Sequence, residues 1–200
     1  MGPIKPVEKV KLFAAVLSSD ENILNNARER LSLTFGPVDY QSPVHPWTHS
    51  NYYEKEMGTH LKRTFLFFAR LIPQYILQDI KIMTNDLEDD FRNLSGVTSP
   101  ARPVNIDPGY MSLAKVVLAS TKDFYHRMYI GRGIYAEVTL YYKDKSFHSF
   151  PHTYPEYRSE DYISMFNQVR ASMAVAPTLV VGKLPGINEL HKNKCKGRTY

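Results

Sequence analysis

Apolar positions in this chain fall into short continuous runs and helical stripes, and their order predicts the architecture. Residues 10–17 (V-K-L-F-A-A-V-L) are nearly all apolar, the pattern of a strand covered on both faces. Ser18 and Glu21 have the spacing of a capping box. Ile23, Leu24, Ala27, Leu31 and Phe35 then recur at helical intervals until Gly36-Pro37 stops the helix. Residues 37–41 supply a second strand, and residues 62–72 (K-R-T-F-L-F-F-A-R-L-I) a third. Pro73 suits the first turn of a second helix, whose apolar stripe is Ile76, Leu77, Ile80, Met83, Leu87 and Phe91. After a loop at 93–103, residues 104–107 predict a fourth strand.

Strand-helix-strand repeated twice is the order of an α+β fold with a ferredoxin-like split βαβ core, two helices covering one face of an antiparallel sheet. Residues 113–120 are too short to assign by period and fit either a strand or a helix. Between Phe124 and Tyr142, two alternating runs flank Gly131-Arg132-Gly133, a β-hairpin signature. Its three-residue loop would pair Ile130 with Ile134, Tyr129 with Tyr135, Met128 with Ala136 and Arg127 with Glu137, turning His126 to the opposite face. Residues 146–150 add another strand, and Ser159 caps a helix that buries Tyr162, Ile163, Phe166 and Val169. An antiparallel β-meander and a C-terminal helix are thus appended to the core. Residues 1–175 read as a single domain and 176–200 as a basic tail, extended or mobile.

Composition alters this picture little. The chain of 200 residues is 43% hydrophobic and 22% charged, an ordinary globular balance. No apolar run reaches the roughly 18 residues a membrane span needs, and the first residues lack a signal-type apolar core, so a cytoplasmic protein is expected. A single cysteine, Cys195, allows neither an internal disulfide nor a multi-cysteine zinc site. Of the net charge of +5, Lys183, Lys192, Lys194, Lys196 and Arg198 against Glu189 put +4 in the tail, leaving +1 for the rest. Nucleic-acid binding is therefore expected only weakly and through the tail.

Several segments carry a resemblance. They are F-G-P-V-D-Y (35–40), Y-Y-E-K-E-M-G (52–58), T-N-D-L-E (84–88), N-I-D-P-G-Y (105–110), K-D-F-Y-H-R-M-Y-I-G-R-G-I-Y-A-E-V-T-L (122–140) and T-Y-P-E-Y-R (153–158). On these motifs the chain resembles, over roughly residues 9–172, a bacterial family catalogued as a domain of unknown function, whose members are sometimes labelled GTP-binding. His152 stands where that pattern has a tryptophan. The resemblance implies kinship and no activity. The GTP label finds no P-loop, because Gly182-Lys183-Leu184 lacks the earlier glycine and the following hydroxyl. No pattern names a cofactor or metal.

Candidate chemistry comes from scattered groups. Residues 42–61 form a long loop without periodicity, rich in His45, Trp47, His49, Tyr52, Tyr53, Glu54, Glu56 and His60, and such a loop commonly binds something. Asp107-Pro108-Gly109 reads as a β-turn, with Asp107 beside Asn105 at a strand end where a ligand could be met. Asp86, Glu88, Asp89 and Asp90 crowd the end of the second helix, with Arg92 and Arg102 placed to compensate them. The expected function is binding of a small anionic ligand, a nucleotide or another phosphorylated compound, between the aromatic loop and the strand ends, with hydrolase or transferase activity as an extension. Lys122, Arg127 and Arg132 would hold the anion, with Asn105, Trp47, Tyr52 and Tyr53 beside it. Asp107 or Glu137 would act as base or metal ligand, and His126 as proton donor. A non-catalytic regulatory or partner-binding module is the alternative, and RNA binding through the tail a third reading.

Overall fold

β1 (Lys9–Ser18) buries every residue but its first, and its alternation divides the core in two. Val10, Leu12, Ala14 and Val16 point to one side of the sheet, Phe13 and Ala15 to the other. The computed structural model describes residues 2–4, 6–48, 53–94 and 102–175. The expected basic tail, Tyr52 and His49 lie outside the described residues.

Along the chain β1 is followed by α1 (Glu21–Phe35), β2 (Val38–Gln41), β3 (His45–Pro46), α2 (Glu54–Met57), β4 (Lys62–Pro73), a 3-10 turn (Gln74–Ile76) and α3 (Leu77–Leu94). The second half holds β5 (Asn105–Met111), β6 (Lys115–Ser120), β7 (Met128–Gly131), β8 (Ile134–Lys143), β9 (Ser146–Ser149), a 3-10 turn (Pro155–Arg158) and α4 (Glu160–Val175). The strands form one antiparallel sheet in the order β2-β4-β1-β5-β6-β8-β7, with β3 on β4 and β9 on β8. The architecture is α+β in three layers. Leu24, Ala27, Leu31 and Phe35 of α1 pack with Leu77, Ile80 and Phe91 of α3 on one face. Tyr162, Met165, Phe166 and Val169 of α4 cover the other, against Phe13, Phe65 and Phe67.

Local details depart from the sequence reading for physical reasons. The cap of α1 is Asp20, whose carboxylate accepts from Asn22 N at 2.8 Å. Ser18 is buried and donates to the Pro103 carbonyl at 2.7 Å, which ties β1 to the entry of β5 instead of capping. Pro73 is the last residue of β4, extended at ψ 141°, so the 3-10 turn and not the proline starts the second helical segment. Residues 115–120, left open between strand and helix, are β6. The aromatic loop contains a two-residue bridge and a one-turn helix, elements too short to impose a period on sequence.

The largest correction is at Asp107-Pro108-Gly109, which continues β5 instead of turning. Asp107 pairs with Ala15, Pro108 with Ala14 and Gly109 with Phe13 of β1. Proline cannot donate to a ladder, so it is tolerated where one side has no partner to serve. The β5–β6 ladder covers only Gly109–Met111 and stops before Pro108. Gly109 is glycine because a Cβ there would lie 2.5 Å from both Phe13 Cζ and the Val117 carbonyl.

The β7–β8 hairpin keeps the expected pairs Met128↔Ala136 and Tyr129↔Tyr135, but Gly131 and not Ile130 faces Ile134. Arg132 takes a left-handed φ of 56°, which closes a two-residue turn with Gly133 and bulges Ile130. Arg127 precedes β7 and has no ladder partner, so strand alternation does not govern His126 and Arg127.

Candidate functional site

The register that pairs Gly109 with Leu118 would set Asp107 opposite Ser120 if the ladder continued. Instead both residues line a cavity of about 340 Å³, opened where β5 and β6 part. Its floor is built by strand ends: Arg63 of β4, Asn105 and Asp107 of β5, and Ser120 of β6. Lys81 and Asn85 of α3 form one wall. Glu137, Arg127, Tyr154 and Tyr157 form another, with Thr121 and Lys122 beside them. Tyr53 and Glu56, from the aromatic segment, complete the lining with Arg102.

Asp107 is the electrostatic centre. Asn105 Nδ2 donates to its Oδ2 at 2.7 Å, while Lys81 Nζ and Arg63 stand at 3.6 and 3.8 Å. Burial alone would raise its pKa, but Lys81 and Arg63, the Asn105 hydrogen bond and Arg102 together hold the carboxyl below its ordinary range. Asp107 is therefore a fixed negative charge at neutral pH and a poor proton acceptor. Lys81 also donates to the Ile106 carbonyl at 3.0 Å, and Glu88 accepts from Ile106 N at 2.7 Å, so α3 grips β5 through two buried ionic groups. Burial pushes the Glu88 carboxyl up despite Lys81 and Arg102. Arg102 joins Glu88 at 2.7 Å to the side-chain amide oxygen Oδ1 of Asn105.

Arg63 is 2% exposed, in the strand that also carries Phe65, Phe67 and Phe68. Its guanidinium lies 4.1 Å from the Trp47 ring, and Nη1 reaches Glu156 at 3.3 Å. Its Nε and the Tyr157 hydroxyl are buried and find no hydrogen-bond partner among the described residues.

On the opposite wall Glu137 is buried, and one oxygen takes two contacts: Arg127 Nε at 2.8 Å and His126 Nε2 at 3.0 Å. This overturns the expectation that His126 turns away from Glu137. Arg127 spreads further, donating to Ser120 Oγ, the Lys122 carbonyl and the Tyr154 hydroxyl at 3.2, 2.9 and 2.6 Å. His126 is not part of the cavity lining and stands behind Glu137, its ring stacked at 4.3 Å on His152. His126, expected as the proton donor, is thus separated from the cavity by the Glu137 side chain.

The structure brings Lys122, Arg127, Asn105, Asp107, Glu137 and Tyr53 together on one cavity. It leaves Arg132 out: at the hairpin tip Arg132 pairs with Asp79 of α3. Trp47 is one layer back, packed over Arg63 and edge-on to Tyr53 at 5.9 Å. His45 sits opposite Arg63 on β3, and no cluster of three metal-ligating side chains occurs among the described residues. The acidic end of α3 is compensated by Arg92 at Asp89, Arg102 at Glu88 and, unforeseen, Arg30 at Asp90.

Sequence reasoning missed Arg63, Lys81 and Tyr157 as site residues. A signal existed for Lys81: with Asn85 and Glu88 it forms a polar stripe at intervals of four and three residues beside the apolar one. Arg63 was hidden inside a strand read by its aromatic character.

Residues 8–173 match the model of a family described as "Domain of unknown function (DUF4416)". No curated protein and no solved structure matches the chain. Among the described residues no helix is long and apolar enough to cross a membrane.

Proposed function

Because the chain belongs to the DUF4416 family, which carries no activity with it, we propose from the geometry that the strand-end cavity binds a small anionic ligand, a nucleotide or another phosphorylated compound. The observation that carries this reading is the convergence of Arg63, Lys81, Arg102, Lys122 and Arg127 on one cavity. Glu56, Asp107, Glu137 and Glu156 also line it, and Glu88 pairs with Arg102 at 2.7 Å, so the five cations meet five carboxylates and it is their placement, not a net charge, that favours an anion. Of these cations Arg63 and Lys81 are buried, and a buried cation acts on an anion more strongly than a surface cation does.

Binding is favoured over hydrolase or transferase chemistry by the state of Asp107. A carboxyl held below its ordinary range by Lys81 and Arg63 is a poor base, and the proposed donor His126 stands behind Glu137. A regulatory module that senses a phosphorylated ligand accounts for both facts. We also infer that β2-β4-β1-β5, with α1 and α3 on one face, is a ferredoxin-like split βαβ core. The strand order and the shared core of the two helices support it.

The test is a thermal-shift panel of nucleotides, sugar phosphates and inorganic phosphate against the full chain, read alongside Trp47 fluorescence. A ligand at 100 times its Kd stabilises by about 2.7 kcal/mol, a shift readily measured. Lys122→Ala should weaken the response. Failure of every phosphorylated compound to stabilise the protein would contradict the proposal and favour a partner-binding module.

A further inference from the structure

The carboxylates on the cavity wall restrict what kind of anion can enter. An ionised carboxylate only accepts hydrogen bonds, so beside a bare phosphate it repels, and it is satisfied only by a ligand that brings donors of its own. Asp107 has room for such donors. Among the described residues it accepts one hydrogen bond, from Asn105, and its two cations at 3.6 and 3.8 Å balance its charge without filling its lone pairs. The remaining contacts of Asn105 and Arg102 fix this acceptor in place, because Arg102 bonds both Glu88 and the Asn105 amide oxygen. On the far side, Arg127 and Lys122 with the Ser120–Thr121 corner supply cationic and hydroxyl groups.

A flat nucleobase finds less to rest on. Leu118 and Ala119 are the aliphatic side chains in the lining, and the three tyrosine rings there are engaged elsewhere. Tyr53 packs on Trp47, Tyr154 has the Arg127 guanidinium over its ring at 6.0 Å, and Tyr157 is buried against Phe65 and Phe166. A volume near 340 Å³ is also at the small end for ligand pockets. Resting on the anion-binding reading above, we infer that the ligand is a phosphorylated polyol of sugar-phosphate size, its hydroxyls read by Asp107 and its phosphate held toward Arg127 and Lys122.

The deciding experiment is calorimetric titration of the native full chain with ribose 5-phosphate, glucose 6-phosphate, AMP, methyl phosphate and inorganic phosphate. One of the sugar phosphates should bind at least about tenfold more tightly than methyl phosphate and AMP, the effect of two or more hydrogen bonds to a charged acceptor. If AMP or methyl phosphate binds as tightly as both sugar phosphates, the polyol inference falls while the anion site stands. If none of the five binds, the anion site itself falls, and the inference with it. Asp107→Asn keeps the shape and removes the charge. It should weaken sugar-phosphate binding about tenfold and leave inorganic phosphate unchanged or tighter, because a like charge has gone. Equal weakening of both would make Asp107 a structural residue and overturn the inference. The comparison of ligands on the native chain decides the question even where that variant folds poorly.

Discussion

His126 Nε2 lies 3.0 Å from Glu137 Oε2, although the alternation of a regular hairpin would place these two side chains on opposite faces. The contact exists because β7 begins only at Met128, so the preceding turn, closed by Arg127 N on the Phe124 carbonyl, is free to swing the imidazole around. Glu137 thereby joins two basic groups at one oxygen and presents its carboxyl to the cavity. It is a buried hub and not a surface ion pair.

Glu137→Gln should consequently cost far more than the 0–1 kcal/mol of an exposed pair. The Arg127 side chain is 7% exposed and would lose its ionic partner. We expect a loss of about 3 kcal/mol, the low end for removing one member of a buried pair. Urea denaturation measures it, and a loss below about 1 kcal/mol would show that water screens the pair.

Gly109→Ala tests the reading of Asp107-Pro108-Gly109 as strand. A turn glycine with open space would accept a methyl group. Here the new Cβ would sit 2.5 Å from Phe13 Cζ and the Val117 carbonyl, and the carbonyl, being backbone, cannot step aside cheaply. Overpacking of this kind costs about 3 kcal/mol, seen as a lowered melting temperature. An unchanged melting temperature would contradict the observed approach of β5 to β6.

The pH dependence of stability follows from Asp107 and Glu88 with opposite signs. Asp107 has a depressed folded pKa, so its contribution is present above the unfolded value of 3.8 and is lost as pH falls through the lower folded value. Glu88 has a raised folded pKa, so its contribution is full below 4.5 and is lost as pH rises through the folded value. The native chain should therefore lose stability relative to Asp107→Asn below pH 3.8, and relative to Glu88→Gln as pH rises above 4.5. Chemical denaturation of the three chains across pH 3–7 measures both differences; parallel curves would contradict the charge pairing at Asp107 in the acid range and the burial of Glu88 in the upper range.

Much of the fold was legible because its signals are local and periodic. The double alternation of β1, the apolar stripes of α1 and α3, and the Tyr129↔Tyr135 register each depend on spacing within one or two elements. The site was legible in part. Asn105, Asp107, Lys122, Arg127 and Glu137 drew notice as charged or polar groups near turns and strand ends, and the cavity gathers them. What was hidden depends on contacts distant in sequence. Proline and glycine after Asp107 signal a turn by composition, and only the β1 ladder and the ring of Phe13 show why they lie in a strand instead. Arg63 acquires its meaning from Glu156 and Asp107, which are 93 and 44 positions away in the chain. Arg132 fails for the complementary reason: its tip position looks available in sequence, yet the fold delivers Asp79 to it.

The central claim, that the strand-end cavity is where a phosphorylated ligand binds, is tested most directly by mapping amide shifts of the isotope-labelled chain during titration with a compound that raises its melting temperature. The largest shifts should fall at Asn105–Asp107 and Ser120–Lys122, while a second, more apolar groove lined by Tyr75, Leu77, Tyr110 and Ile130 stays unmoved. Saturable shifts centred on that groove, or on any surface away from Asp107 and Lys122, would contradict it.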